Sequence, residues 1–176
     1  MAIRKIRTDE DPILRKKSKE VSIYNDRLKI LIEDMFETMD KAPGVGLAAP
    51  QVGILKRIIV VDDREEENNK RFYMINPEIT HKDGEEIGME GCLSVPERQG
   101  TVKRATSISV KYNDLEGEEK TIDAEDFLAR ILQHEIDHLD GILYTDKAID
   151  MYEITGEEEK IWSISSWEHL NFQYQF

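Results

Sequence analysis

The sequence has a single cysteine and no long hydrophobic run. Cys92 is the one cysteine among 176 residues, so the chain cannot form a framework of intrachain disulfides. The longest aliphatic run, residues 58–61, is far too short to span a bilayer, and the first residues contain no apolar signal region. These absences predict a soluble protein of the cytoplasm without a membrane partner.

Positively charged residues are fewer than negatively charged ones. The chain has 24 lysines and arginines against 37 aspartates and glutamates, which gives a formal net charge of -13 at pH 7. A chain this acidic offers no general basic surface, so direct nucleic-acid binding is not expected. Because the sequence contains neither an internal repeat nor a long flexible linker, we expect residues 1–176 to form a single domain.

The C-terminal residues 150–176 form a tail that contains both tryptophans. Apolar and polar residues alternate from 170 to 176, as they do in a half-buried strand. We expect this tail to pack on its own domain and the protein to be a monomer. The alternative is that the tail forms a contact in a dimer.

Residues His134, Glu135 and His138 form a His-Glu-x-x-His motif in a predicted helix. Apolar residues recur there at helical spacing, Asp123 is a suitable N-cap, and Gly141 ends the pattern. Histidines four positions apart share one helix face, so their ring nitrogens can converge on one metal ion. Glu135 lies about 100° around the helix, where its carboxylate can take a proton from water held by that ion. The alternative is that the two histidines bind no metal and form hydrogen bonds with the backbone or with water.

Three candidates exist for a third metal ligand. Zinc endopeptidases often extend the helix motif to a third histidine, but Tyr144 stands at that position. Glutamates follow in an acidic run at 153–159, which is typical of a solvated surface. Cys92 is favoured because its segment, residues 90–96, contains a glycine and ends at a proline, which suits a close approach to an ion. The alternative for this thiol is a small buried hydrophobic side chain.

The glycine-rich segment at 44–53 partly imitates the loop of dinucleotide-binding folds. Such a loop follows a strand and opens a helix. Here an amphipathic helix is predicted before it, at about residues 25–42, and Pro50 and Gly53 prevent a helix after it. Nucleotide binding is therefore not expected.

The order and separation of three short motifs narrow the function further. They are Gly-Val-Gly-Leu-Ala-Ala-Pro-Gln at 44–51, Glu-Gly-Cys-Leu-Ser at 90–94 and Gln-His-Glu-Ile-Asp-His at 133–138. Together they resemble the signature motifs of the peptide deformylase family, and Asp-Pro-Ile-Leu-Arg at 11–15 is also similar. The resemblance spans residues 3–146. It implies an amidohydrolase, a peptide deformylase, that releases formate from the N-terminal formylmethionine of nascent polypeptides.

The resemblance implies a role for each matching residue. It assigns metal ligation to Cys92, His134 and His138, general acid/base catalysis on metal-bound water to Glu135, and oxyanion stabilisation to the Gln51 side-chain amide and the Leu93 backbone N–H. For Gln51 the alternative is that its amide only satisfies backbone groups of the turn.

Substrate-binding positions follow from the same resemblance. The backbone at Val45, Gly46 and Gly91 is expected to pair with an extended peptide. Ile131, one turn before the first histidine, either lines the slot for the methionine side chain or belongs to the ordinary core.

The cofactor and the partners are also implied. Two imidazoles and a thiolate suit Fe²⁺, Zn²⁺, Ni²⁺ or Co²⁺, and the resemblance favours Fe²⁺. The implied partners are formyl-Met nascent peptides near the ribosome in a bacterial cytoplasm. Some deformylases are thought to dock there through a basic C-terminal helix, but residues 153–159 are acidic, so docking through this tail is not expected. A zincin-type metallopeptidase and a noncatalytic metal-binding module are the alternative functions.

The remaining pattern predicts the fold class. Strands are expected near 56–62, 71–79, 84–96, 102–113 and 118–122, with turn residues between them and the motif helix after them. A series of hairpins followed by a helix indicates an α+β fold, with antiparallel sheets packed around the central helix that carries the motif.

Overall fold

The structure, a computed structural model, describes residues 2–63 and 70–154, and this part contains two α-helices and eight β-strands. The helices are Asp26–Lys41 (α1) and Asp126–Leu139 (α2). The strands are Gly46–Ala48 (β1), Ile58–Asp63 (β2), Lys70–Asp83 (β3), Glu86–Cys92 (β4), Val95–Arg104 (β5), Ser107–Asn113 (β6), Glu119–Glu125 (β7) and Ala148–Glu153 (β8). No helix within these residues is long and apolar enough to cross a membrane.

The strands form two antiparallel sheets. One has five strands in the order β1-β2-β3-β6-β7, and the other has three in the order β4-β5-β8. Helix α2 contacts β1, β2 and β7 of the larger sheet. This arrangement confirms the predicted α+β class with antiparallel sheets, and the motif helix α2 packs against the larger sheet.

Strand β2 of the five-stranded sheet is buried on both faces. Ile59 and Val61 belong to a core cluster that includes the apolar face of α2, whereas Ile58 and Val60 belong to a cluster with the apolar face of α1. Successive side chains of a strand point to opposite faces, so a strand between two helices needs an unbroken apolar run. The run at 58–61 is therefore a central strand.

Helix α2 begins later than the sequence predicts. Asp123 is not its N-cap, because residues 123–125 continue β7 and pair with β6. The Asp123 carboxylate instead accepts a hydrogen bond from Ser109 Oγ at 2.6 Å. Sheet pairing thus overrides the local capping signal. Gly141, with φ of 74°, ends the helix as expected, and a Cβ there would lie 2.6 Å from the Arg15 carbonyl oxygen.

The predicted strand at 84–96 is a hairpin in the structure. The chain reverses at residues 93–94, so that Cys92 at the end of β4 pairs with Val95 at the start of β5. A second break separates β5 from β6. Strand β8 was not predicted, and the predicted tail strand at 170–176 lies outside the described residues. The hairpin reversal is the feature that brings the cysteine to the end of a strand.

Candidate metal and active site

The structure brings together the three predicted metal ligands. Cys92 lies at the end of β4, and His134 and His138 lie one turn apart on α2. One candidate ligand atom from each residue falls within 4.8 Å of the other two, and all three residues are buried. Cys92 Sγ is 3.3 Å from His138 Nε2. A thiolate and two imidazoles at such separations are a typical donor set for one transition-metal ion.

Glu90 orients the first histidine ring. Its Oε2 lies 2.9 Å from His134 Nδ1, and both side chains are almost completely buried. Because a carboxylate only accepts hydrogen bonds, this contact requires a proton on Nδ1. The lone pair of a neutral ring is then on Nε2, the nitrogen available to a metal. The contact therefore selects the tautomer that metal binding needs.

Two guanidinium groups hold the Glu90 carboxylate. Arg104 donates from Nε to Oε1 at 2.8 Å and from Nη2 to Oε2 at 2.9 Å, and Arg130 donates from Nη1 to Oε1 at 3.1 Å. Burial alone would raise the pKa of Glu90, but the hydrogen bonds from Arg104 and His134 outweigh it and lower the pKa. Glu90 is thus a permanent anion inside the protein.

The ion-pair network continues from Glu90 to the protein surface. Arg104 Nη1 also donates to Asp137 at 2.5 Å, and Asp137 accepts from the partly exposed Lys147 at 2.7 Å. The sequence predicted no role for Glu90, Arg104 or Arg130. For Arg130 a signal existed, since it lies four positions before His134 and therefore on the same helix face. For Arg104, on another strand, none existed.

Glu135 has very different surroundings. Both of its carboxylate oxygens are buried, and neither has a hydrogen-bond partner among the described residues. Burial and then the negative charge of Glu90 raise its pKa well above the usual glutamate value. A Cβ at Gly46 would lie 2.4 Å from Glu135 Oε1, so the carboxylate occupies space that only a glycine leaves open. The site therefore contains a buried carboxyl group that lies close against the backbone of Gly46 and has no hydrogen-bond partner among the described residues.

The protonation tendencies of the ligands suit a cation. Burial raises the pKa of the Cys92 thiol and Glu135 adds to this effect, whereas backbone N–H groups of Ser94 and Val95 favour the thiolate. Burial, His134 and Arg104 lower the pKa of His138, so its ring is neutral and can act as a ligand. A metal ion that replaces the thiol proton would supply the positive charge that this buried cluster lacks. The residues present thus fit a divalent ion.

Gln51 joins the first and second motifs. Its Oε1 accepts a hydrogen bond from the Ala48 backbone N–H at 2.8 Å, which holds the turn. Its Nε2 donates to Ser94 Oγ at 3.2 Å and lies 3.5 Å from Cys92 Sγ. The amide oxygen of Gln51 therefore accepts a backbone hydrogen bond, which agrees with the alternative interpretation. The amide nitrogen lies next to the candidate ligand Cys92.

Leu93 occupies the hairpin reversal next to Cys92. A Cβ at Gly44 would lie 2.8 Å from its Cδ1, so the absence of a side chain at 44 lets the two motif segments approach each other. The first and second motifs therefore meet at Gly44 and Leu93, directly after Cys92 in the chain.

The predicted peptide-binding positions lie on two sheet edges. Gly46 is in β1, at the edge of the five-stranded sheet, and Gly91 is in β4, at the edge of the three-stranded sheet. The Val45 carbonyl already accepts a hydrogen bond from the Asp62 N–H at 2.9 Å. Ile131 is completely buried in the core cluster of α2, which favours its interpretation as an ordinary core residue.

The alternative third ligands are placed differently. The Tyr144 hydroxyl donates to the Arg98 carbonyl at 3.0 Å, and its ring stacks at 6.0 Å from the His134 ring. Glu153 is exposed at the end of β8. The glutamates at 157–159 lie outside the described residues. Within the described part of the chain, it is Cys92 that groups with both histidines.

Comparison with known proteins gives consistent matches. A family model described as Polypeptide deformylase matches residues 3–153. Peptide deformylase 1 of Clostridium perfringens is 56% identical over 146 residues, which cover 83% of this chain and 98% of that protein. A peptide deformylase of Finegoldia magna is 49% identical over 154 residues, which cover 87% of this chain and 94% of that protein.

Solved structures show the same fold. The crystal structure of peptide deformylase from Thermotoga maritima matches with a TM-score of 0.80 at 42% identity, covering 85% of this chain and 100% of that chain. The family model spans all three motifs and most of the chain. The chain therefore belongs to the peptide deformylase family.

Proposed function

We propose that this deformylase hydrolyses the formyl group of N-formylmethionyl nascent peptides and releases formate, with Cys92, His134 and His138 as its metal ligands. The observation that carries the proposal is the convergence of these three donors within 4.8 Å. The nearby Glu135 carboxylate, which is buried without a hydrogen-bond partner among the described residues, supports it. A bacterial cytoplasm is the compartment that supplies this substrate.

The donor set defines the cofactor only as a class. Cys92, His134 and His138 would hold a divalent ion, which would lower the pKa of a bound water molecule and polarise the formyl carbonyl. We assign Fe²⁺ as the working ion, with Zn²⁺, Ni²⁺ or Co²⁺ as ions that the same donors accept in a purified sample.

Glu135 is the proton carrier in this proposal. Its carboxylate takes the proton that the attacking water loses and then delivers it to the nitrogen of the departing amine. A raised pKa suits this work, because burial and the charge of Glu90 make the Glu135 carboxylate a stronger base than an ordinary glutamate. The absence of a side chain at Gly46 leaves the space in which the Glu135 carboxylate lies.

Gln51 and Leu93 stabilise the oxyanion. Charge builds on the formyl oxygen during attack, and fixed donors aimed at that position lower the barrier. The contact from Ala48 fixes Gln51 Oε1, so the direction of the Nε2 group is set before substrate arrives. The Leu93 N–H, at the hairpin reversal, supplies the second donor.

We propose that substrate lies along the two sheet edges near the site. Within the described part of the chain, β1 and β4 are the edge strands next to Cys92 and Glu135, and an extended peptide can pair with such an edge. Gly46, Gly91 and the backbone at Val45 are the matching positions. The acidic residues 153–159 give no reason to assign ribosome docking to the tail, and we treat the chain as a monomeric single domain.

The test is formate release with metal analysis on the same sample. The full chain, purified without oxygen and loaded with Fe²⁺, should release formate from formyl-Met-Ala-Ser at one metal per chain. Cys92→Ser should lose tight metal binding and formate release together. If Cys92→Ser retained its metal, the result would favour a zincin-type metallopeptidase. If the metal-loaded wild-type chain released no formate, the result would favour a noncatalytic metal-binding module.

A further inference from the structure

We propose that Arg130 is a positioning residue of the metal centre: from the space above Gly88, its guanidinium fixes the Glu90 carboxylate and, through it, the ring of His134. The inference rests on the metal site proposed above. It concerns how tightly the site holds an ion, and it places Arg130 in contact with neither substrate nor metal.

Arg130 and His134 act on the same carboxylate from one face of α2. Residues four apart on a helix lie one above the other, so both side chains extend toward β4. Arg130 Nη1 donates to Glu90 Oε1 at 3.1 Å, and His134 Nδ1 lies 2.9 Å from Glu90 Oε2. Two residues of α2, Arg130 and His134, therefore contact the two carboxylate oxygens of Glu90.

The backbone of the smaller sheet locks the guanidinium of Arg130. Nη1 also donates to the Val102 carbonyl on β5 at 2.9 Å, and Nη2 donates to the Glu86 carbonyl on β4 at 3.1 Å. The side chain of Arg130 is 8% exposed. Arg104, by contrast, divides its donors between Glu90 and Asp137, which leads to the surface. Arg130 is thus the guanidinium that ties Glu90 and the backbone of β4 and β5 to helix α2.

Gly88 creates the space for this arrangement. It precedes Glu90 by two positions on β4, so both residues face the same side of the sheet. A Cβ at position 88 would lie 2.8 Å from both Cζ and Nη2 of Arg130. These are atoms of a guanidinium held by three hydrogen bonds, so even a methyl group would displace it.

The consequence concerns metal affinity. Outer partners that orient a ligand imidazole typically change metal affinity by about 10- to 100-fold when they are removed. Since Arg130 acts on His134 through Glu90, we expect its loss to weaken metal binding by about tenfold. A purely electrostatic role predicts the opposite sign, because removal of a positive charge near the site would favour a cation.

The experiment measures Co²⁺ binding to the full chain by competition with a chelator, together with the absorption spectrum of bound Co²⁺. Arg130→Met and Arg130→Lys should both weaken binding by about tenfold and change the spectrum, because neither presents the fork of donors. Gly88→Ala should weaken binding in the wild-type background but add nothing to Arg130→Met.

Arg57→Met is the matched control. Arg57 donates to the Leu139 carbonyl at 3.4 Å and to Asp140 Oδ1 at 2.8 Å, so it anchors the other end of α2 without touching Glu90. Its loss should lower the melting temperature and leave Co²⁺ affinity unchanged.

Unchanged or tighter Co²⁺ binding in both Arg130→Met and Gly88→Ala would overturn the inference. The Gly88 variant retains all charges, so it decides the matter if Arg130→Met does not fold. If Arg57→Met lost as much Co²⁺ affinity as Arg130→Met, the effect of Arg130 would be a general structural one. That result would also overturn the inference. Failure of the wild-type chain to bind Co²⁺ would instead refute the proposed site itself.

Discussion

Two buried glutamates, Glu90 on β4 and Glu135 on α2, lie in the same centre with opposite surroundings. Glu90 is hydrogen bonded by Arg104, Arg130 and His134, and its pKa is lowered. Glu135 has no hydrogen-bond partner among the described residues, and its pKa is raised. The side-chain chemistry is identical, so the difference comes from neighbours alone.

This contrast separates two tasks. A carboxylate that stays ionised can hold a ligand imidazole in one tautomer, but it cannot carry a proton. A buried carboxyl group without hydrogen-bond partners can do so, because burial and a neighbouring negative charge raise its pKa and make it a better proton acceptor. The predictions below test whether the two glutamates divide the work in this way.

The largest effect is expected from Glu135→Gln. The amide preserves the shape of the side chain but cannot accept the proton of the attacking water, so kcat for formate release should fall by about a thousandfold or more. Metal content, measured on the same sample, should stay at the wild-type level. A decrease in kcat of less than tenfold would remove Glu135 from proton transfer.

Glu90→Gln should act on stability instead. Removal of this anion leaves Arg104 and Arg130 buried with one charge partner fewer, and we expect the free energy of unfolding to fall by about 3 kcal/mol. Metal binding should weaken as well, since His134 loses its acceptor. Urea denaturation of both proteins measures the first effect. If the free energy of unfolding were unchanged, the ion pairs around Glu90 would make no net contribution to stability.

Gln51→Ala tests the Glu135 side of the site without altering charge. Loss of the Nε2 donor should lower kcat by about a hundredfold, because one oxyanion donor of this kind contributes about 3 kcal/mol. Ser94→Ala serves as the control, since it removes only a hydrogen-bond partner of Gln51. Wild-type turnover in Gln51→Ala would leave that amide with the role of holding the turn at Ala48.

The smallest effect concerns Asp34, a paired carboxylate outside the centre. Asp34 accepts from the Ala2 N–H at 2.7 Å and from Arg4 at 2.8 Å. Burial would raise its pKa, but these hydrogen bonds lower it. A lowered pKa means that the unfolded chain binds the proton first as the pH falls, so its contribution exists above pH 4 and disappears in more acidic solution.

Asp34→Asn should therefore cost about 1 kcal/mol of unfolding free energy at pH 7, with the gap to wild type closing as the pH falls below about 4. Denaturation at a series of pH values measures both quantities. A gap that widens in acid would mean that the sign assigned to the Asp34 pKa is wrong. Asp34 and Glu90 are both buried, but Arg4 is 30% exposed and Arg104 is 3% exposed, so the comparison shows what burial of the arginine partner adds.

Local patterns carried much of the fold. Helix α1 was predicted at about 25–42 and is observed at Asp26–Lys41, because its apolar residues recur at helical spacing. The predicted start of α2 was wrong. Asp123 is a good local N-cap, but it pairs with Ser109 of β6 and therefore belongs to strand β7. Likewise, the reversal at 93–94 within a predicted strand depends on pairing between β4 and β5.

The same division applies to the site. Helical spacing predicted His134 and His138 as a pair, the segment at 90–96 and the family resemblance added Cys92, and the structure places one ligand atom of each within 4.8 Å of the others. The sequence could not predict that Glu90 would pair with Arg104, 14 positions away, and with Arg130, 40 positions away. Nor could it predict that Gly46 would lie against Glu135.

By itself, the sequence determined which chemical groups are present and which neighbours share a helix face or a strand face, because those relations depend on backbone geometry over a few residues. Only the tertiary structure decided the electrostatic state of each group. The pKa of a glutamate depends on burial and on charges from distant segments, and folding alone brings those segments together. For that reason Glu90 and Glu135, equivalent in the sequence, acquire opposite properties in the folded protein.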